Sequence, residues 1–121
     1  MTDNDPNVHP NNIHAARELK ATAQRIYLTA SAKGWHEEPR EDGTLIALMH
    51  SELSEALEGL RHGNPPSEKI GEFSAVEEEL ADVMIRILDA SEHRGWDVIG
   101  ALFAKLDYND GRSYRHGGKE F

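Results

Sequence analysis

The sequence contains no cysteine, and this absence excludes two kinds of stabilising chemistry. Neither a disulfide nor a zinc site with thiolate ligands can form from these 121 residues. No apolar run approaches the ~18 residues of a membrane-spanning helix, so we expect no membrane partner. The first residues, MTDNDPNVHPNN, are polar and acidic, which is not the pattern of a secretory signal peptide. Together these absences favour a soluble, cytoplasmic protein.

Positive charge is also scarce. Lys and Arg number 13 against 22 Asp and Glu, and the formal net charge is −9. A protein that binds a nucleic-acid polymer needs a basic surface, so we expect no such partner. This argument does not extend to nucleotides, because a bound Mg²⁺ ion reverses the sign of the local field. The sequence also lacks the GxxxxGK[ST] phosphate loop, the GxGxxG fingerprint and the zinc motif HExxH.

Apolar residues recur with a helical period in four segments, and no segment shows the alternation typical of a strand. We therefore predict an all-α fold with helices over about residues 13–33, 44–61, 74–93 and 97–108. Asn12 and Asp97 are suitable N-caps, and Gly34 is a natural helix end. A chain of 121 residues forms one domain, which we place at residues 12–121 after a flexible tail at 1–11.

Two carboxylate pairs with i, i+3 spacing carry most of the functional information. Glu52 and Glu55 lie in SELSEAL, and Glu79 and Asp82 lie in EEELADV. Residues three apart share one helix face, with Cβ atoms about 5–6 Å apart. Two such helices packed together would point four carboxylates at one place, which is costly unless a cation neutralises them. Mg²⁺ prefers carboxylate oxygen, so the spacing predicts a Mg²⁺ site, with Mn²⁺ as a substitute, and such sites commonly bind phosphates.

A solvated helix face is the competing interpretation, because Glu is mostly exposed and an ExxE pair alone is a weak signal. Both pairs, however, border the apolar rows of their helices. The second pair continues as a polar stripe through Arg86 and Asp89, on a helix otherwise suited to burial. Arg86 is therefore a candidate internal counter-ion, and Asp89 is either a further ligand or the partner of Arg86. Glu78 also lies in register with Asp82, but the phase of the stripe favours Glu79.

Basic and amide side chains concentrate near the C-terminus, at Lys105, Asn109, Arg112, Arg115 and Lys119. One interpretation is a solvated tail, in which Lys105 complements a helix end. The other is a phosphate clamp, with Lys as a point charge and Arg as a bidentate fork. Trp35 precedes the first acidic helix. It is either a core or interface anchor or a surface on which a base stacks.

These motifs together resemble the MazG-like branch of the all-α nucleoside triphosphate pyrophosphatases. The resemblance runs from about residue 34 to the C-terminus and depends on GWHEEPR, SELSEAL, EELADVMIRILD and KLDYNDGRSYRHGGK. It implies a compact four-helix chain, assembled as a dimer or a dimer of dimers. The implied activity is Mg²⁺-dependent hydrolysis of (d)NTP to (d)NMP and pyrophosphate, in nucleotide-pool house-cleaning. One departure is the segment 107–111, which is more acidic than in many relatives.

The resemblance also implies roles for individual residues. The metal ligands would be Glu52, Glu55, Glu79 and Asp82, with Glu52 or Glu55 orienting the attacking water. Substrate would be bound by the C-terminal residues and the tryptophan, namely Lys105, Asn109, Arg112, Arg115, Lys119 and Trp35. Two alternatives stay open: a narrower dUTPase or dCTPase, and a catalytically idle helical module that oligomerises or binds a protein.

The third predicted helix carries more apolar surface than a thin four-helix chain can cover. Its wide apolar face comprises Val76, Leu80, Val83, Met84, Ile87 and Leu88, and Ile85 adds apolar surface elsewhere. Uncovered apolar surface of this kind is typical of subunit interfaces, so we expect a homo-oligomer with the site near the subunit boundary.

Overall fold

The computed structural model describes residues 8–112, and this part of the chain is all-helical, as predicted. A short 3-10 turn, Pro10–Asn12, leads into four helices: α1 (Ile13–Ala32), α2 (Asp42–Arg61), α3 (Ala75–Arg94) and α4 (Val98–Asp110). None of these helices is long and apolar enough to cross a membrane. The helix bounds lie within two residues of those predicted; Asn12 stands at the N-cap position of α1, but its side chain makes no capping hydrogen bond.

The helix ends show the local chemistry that defines them. Ser74 caps α3: its hydroxyl accepts a hydrogen bond from the Glu77 amide, and the Glu77 carboxylate accepts one from the Ser74 amide. Asp97 caps α4 by accepting from the Gly100 amide at 2.9 Å. Gly34, just beyond α1, has a φ of +87°, a conformation that other residues rarely adopt. The chain therefore turns sharply there, immediately before Trp35.

The core lies where α1, α3 and α4 meet. It is built from six buried side chains, Val8, Ala16, Ala23, Leu88, Ile99 and Phe103. The buried alanines of α1 recur every seven residues, at positions 16, 23 and 30, and small side chains let a neighbouring helix approach closely. Residues 1–7 of the tail predicted at 1–11 lie outside the described residues, and Val8, the first described residue, is only 6% exposed. Its apolar side chain packs into the core, although the residues around it in the sequence are polar.

An antiparallel hairpin of α2 and α3 forms the other half of the molecule. A Cβ built on Gly59 would lie 3.4 Å from the Cβ of Ala75, so the end of α2 touches the start of α3. The connecting loop is held by two backbone bonds of 2.8 Å, from the Ser67 amide to Phe73 and from the Ala75 amide to Pro65. This register sets Glu52, near the middle of α2, beside Glu79 and Asp82 in the first half of α3.

One face of the hairpin is apolar and exposed. On α2, Leu53, Leu57 and Leu60 are 45%, 48% and 57% exposed, and on α3, Leu80 and Met84 are 45% and 61% exposed. We call these five residues the apolar face. Leu80 and Asp82 are two positions apart and therefore about 200° apart around α3. The apolar side of α3 thus points away from its acidic side.

Candidate metal centre and adjoining cleft

Three of the four predicted carboxylates meet between α2 and α3. One oxygen each from Glu52, Glu79 and Asp82 lies within 4.8 Å of the others, and all three residues are half-buried. We call this group the acidic cluster. Three acidic oxygens at such distances match what a hard divalent cation accepts as ligands.

Charge crowding changes the protonation of the acidic cluster. Burial, followed by a hydrogen bond and charge repulsion from Glu52, raises the pKa of Glu79 to about 7. Burial also raises the pKa of Asp82, with further contributions from the charges of Glu52 and Glu78. Lys69 and Arg86 oppose that rise in the Asp82 pKa. Without a cation, the acidic cluster therefore retains a proton near neutral pH.

The remaining carboxylates of the two motifs lie outside the acidic cluster. Glu55 is exposed, one turn further along α2 than Glu52, and is not part of the group. Glu78 accepts a hydrogen bond from the hydroxyl of Ser67, which is buried in the loop before α3. Of the two glutamates in register with Asp82, Glu79 therefore belongs to the acidic cluster, whereas Glu78 holds the loop before α3.

Arg86 is an internal counter-ion, as the sequence predicted. Its Nε donates to Glu52 Oε1 at 2.9 Å, and both side chains are mostly buried. The guanidinium carbon lies 5.6 Å from the centre of the Trp35 ring, within the range of a cation–π contact. Asp89, the other residue of the stripe, pairs with a histidine instead: His36 Nε2 lies 2.9 Å from Asp89 Oδ1.

A cleft of about 550 Å³ opens beside the acidic cluster. Its walls are mainly apolar and come from α1, α3 and the loop after α1, with Ile26, Ala30, Trp35 and Ile85 among them. Asp82 belongs to both the cleft and the acidic cluster. A half-exposed indole and a candidate metal ligand therefore face one space, of a size that suits a small molecule.

A half-buried histidine pair holds the loop that carries Trp35. The rings of His36 and His93 stack with centroids 3.8 Å apart, and the Tyr27 ring packs against both. Burial, and then the charge of His36, lower the pKa of His93. Sequence reasoning missed this group, because positions 27, 36 and 93 share no local spacing. Two residues of the cleft wall, Arg25 and Lys33, were missed for the same reason.

The predicted phosphate clamp lies elsewhere in the chain. The Lys105 ammonium lies 4.5 Å from the centre of the Tyr108 ring, and Arg112 donates to Asn109 Oδ1 at 3.4 Å. This end of α4 adjoins the start of α1, where the side-chain Nδ2 of Asn12 donates to Asp107 Oδ1 at 3.5 Å. The α1 residues of the cleft wall begin at Thr22, ten positions and therefore about 15 Å along the helix from Asn12. No described hydrogen bond or ion pair joins Lys105, Asn109 or Arg112 to the acidic cluster, and Arg115 and Lys119 lie outside the described residues.

The raised pKa of Glu79 gives a testable effect on stability. A carboxyl group whose pKa is raised on folding binds its proton more tightly in the folded state. The stability that protonated Glu79 contributes is therefore fully present below the unfolded pKa near 4.5, and it is lost as the pH rises through about 7. We expect Glu79→Gln to raise the melting temperature of the metal-free protein by about 2–5 °C at pH ~8. Near pH ~5 the variant and the parent should differ little.

Glu55→Gln is the matched control, because Glu55 belongs to the same pattern but is exposed. Thermal unfolding followed by circular dichroism should show no comparable gain for it. Equal melting temperatures for Glu79→Gln and the parent at pH ~8 would contradict the crowding of charge described here.

Comparisons with known proteins identify no relative of the chain. No protein-family model, no curated protein and no solved structure matches the chain.

Proposed function

We propose that this protein is a Mg²⁺-dependent nucleoside triphosphate pyrophosphohydrolase, which converts a (d)NTP to a (d)NMP and pyrophosphate. The observation that carries the proposal is the shared position of Asp82, which faces both the acidic cluster and the cleft of Trp35. A nucleotide has the same two parts, a charged phosphate chain and a flat base. The motif resemblance to the MazG-like pyrophosphatases supports the same activity.

The acidic cluster fits a divalent cation by its donor chemistry. Glu52, Glu79 and Asp82 offer three oxygens. The raised pKa of Glu79 reflects burial first and then the proximity of Glu52 and Asp82, whose repulsion a cation would offset. A bound Mg²⁺ ion would supply a Lewis acid, which acidifies water and neutralises phosphate charge. Glu55, one helical turn from Glu52, is our candidate for orienting the attacking water. Its exposure leaves its carboxylate free to turn toward the substrate.

The cleft fits a nucleobase by its shape and its walls. Trp35 offers a flat ring, and Ile26 and Ile85 add apolar surface. Stacking on an aromatic ring does not depend on the identity of the base. Arg25 and Lys33 also line the cleft, and we propose that they neutralise part of the phosphate charge.

The C-terminal clamp requires a second copy of the chain. Lys105, Asn109 and Arg112 adjoin the opposite end of α1 from the cleft, so one chain does not close the site with them. In a homodimer or a dimer of dimers, these residues can approach the acidic cluster of a neighbouring subunit. The apolar face of α2 and α3 gives such an assembly a surface to bury. We propose the same role for Arg115 and Lys119.

Two rival functions make different predictions in one assay. A dUTPase or dCTPase would hydrolyse one base class, whereas a house-cleaning enzyme would accept several. The apolar face also favours a helical interaction module, which would release no pyrophosphate at all. A panel of the common NTPs and dNTPs with Mg²⁺, read by pyrophosphate release, therefore separates all three.

Loss of one charged ligand tests the acidic cluster. We expect Asp82→Asn and Glu52→Gln each to lower Mg²⁺-dependent turnover by at least about 100-fold, since even the outer partners of metal ligands are worth ~10–100-fold. Far-ultraviolet circular dichroism should show unchanged helicity. Glu58→Gln is the control, because Glu58 is an exposed residue of α2 that pairs with Arg61. Turnover near the parent level in either variant would refute the metal assignment.

Removal of the indole tests the base site. A stacked base contributes about 1–3 kcal/mol, so Trp35→Ala should raise the nucleotide dissociation constant roughly five- to 150-fold and blur discrimination among bases. Trp96→Ala is the matched control, because Trp96 is exposed to a similar degree, 38% against 37%, and is not a residue of the cleft wall. If Trp35→Ala loses stability but keeps its affinity and selectivity, Trp35 is an anchor and the stacking role is wrong.

Replacement of one leucine tests the assembly. We expect light scattering to return at least twice the chain mass of 13.5 kDa for the parent protein. Leu57→Glu places a charge in the apolar face and should yield a monomer with little activity. Leu28→Glu, at an exposed position on α1, should leave the mass unchanged. A parent protein that is monomeric and fully active would overturn the assembly proposal.

A further inference from the structure

Arg86 contacts two parts of the site that otherwise belong to different elements. Through Nε it donates to Glu52 of α2 at 2.9 Å, and its guanidinium carbon lies 5.6 Å from the centre of the Trp35 ring in the loop after α1. Only 27% of the Arg86 side chain and 17% of the Glu52 side chain are exposed. One planar group thus bridges the acidic cluster and the cleft.

The two contacts of Arg86 depend on each other because the guanidinium is rigid. A charge-assisted hydrogen bond to a carboxylate is directional, and it fixes the plane of the group that lies over the indole. Because this ion pair is partly buried, water and salt screen it less than they screen a pair on the surface. If another positive charge neutralises the Glu52 carboxylate, the electrostatic attraction that holds Arg86 becomes weaker. Its position over Trp35 is then no longer fixed.

We propose that Arg86 is a positioning residue that couples the charge state of Glu52 to the setting of Trp35. A divalent cation on the acidic cluster takes over the Glu52 carboxylate, and Arg86 then shifts relative to the indole. The identity of the cation rests on the function proposed above, but the coupling itself rests on the three side chains. By linkage, whatever binds against Trp35 and whatever binds to Glu52 change each other's affinity by the same factor.

Tryptophan fluorescence can report this coupling directly. The chain has two tryptophans, so Trp96→Phe leaves Trp35 as the only indole emitter. The backbone carbonyl of Trp96, which accepts from the Ser91 hydroxyl at 2.6 Å, is retained in that variant. Mg²⁺ is the probe, since a closed-shell ion does not quench the indole by itself. Calorimetry on the same samples measures whether the ion binds.

We expect the Trp35 emission to change with Mg²⁺ along the same curve as the calorimetric binding. Glu52→Gln removes the charge that holds Arg86, so its metal-free emission should resemble that of the Mg²⁺-loaded parent. Arg86→Met should lose the Mg²⁺-induced change while still binding the ion. Arg61→Met, which removes an exposed arginine paired only with Glu58 among the described ion pairs, should keep the change.

The possible outcomes of this experiment distinguish a failure of this inference from a failure of the proposed function. Mg²⁺ binding without any change in Trp35 emission overturns the coupling and leaves the metal site standing. No Mg²⁺ binding, together with shifted emission in Glu52→Gln, supports the coupling and overturns the metal assignment. Unchanged emission in metal-free Glu52→Gln overturns the coupling in either case. This arm decides the matter even if Arg86→Met fails to fold.

Discussion

Antiparallel packing of α2 against α3 forces three carboxylates into one half-buried space, and the properties of the site follow from that crowding. Isolated on separate helices, Glu52, Glu79 and Asp82 would each be ordinary solvated acids. Within 4.8 Å of one another they are crowded: burial, and then the contact with Glu52, raise the pKa of Glu79 and of Asp82, and Arg86 pairs with Glu52. The close contact at Gly59 and the capped start of α3 hold the helices in the register that produces this repulsion. The fold thus keeps the acidic cluster in a state that a cation would relieve.

The loop between α1 and α2 is the second element that gives the site its shape. It is fixed to two helices at Trp35 and the next residue: the Trp35 backbone amide donates to the Ala30 carbonyl of α1 at 3.0 Å, and His36 pairs with Asp89 of α3. Further along, Arg94 binds the Arg40 carbonyl and lies 3.1 Å from Asp42. A large ring on a loop fixed at several points keeps its orientation without being buried. Preorganisation of this kind lowers the entropy lost when a ligand stacks.

The placement of α4 limits what one chain can do. It packs on α1 and contributes Ile99 and Phe103 to the core, so its polar end is fixed near the start of α1. The cleft, near the other end, has only Arg25 and Lys33 as cationic neighbours from α1 and the turn that follows it. A phosphate chain carries more charge than two partly exposed cations offset. This shortage, together with the apolar face, is the physical reason why the proposed activity and the proposed assembly are linked.

Local chemistry in the sequence determined the helices and the residue types of the site. A 3.6-residue apolar period, the cap at Asp97 and the turn at Gly34 act over a few residues, so the four helices could be read directly. The i, i+3 spacing likewise placed acidic side chains on one face of each helix. It could not fix which of them converge, because that depends on the register and rotation of α2 against α3.

Only the tertiary structure decided the remaining partnerships. It excluded Glu55 from the acidic cluster, paired Arg86 with Glu52 and gave Asp89 to His36. It also buried Val8, which lies in a polar N-terminal segment, and it set the end of α4 beside the start of α1, whereas the cleft wall begins at Thr22. Each of these outcomes joins residues dozens of positions apart, or sets an element against a distant one. No local propensity encodes such contacts, because they depend on which helices pack together and in which register.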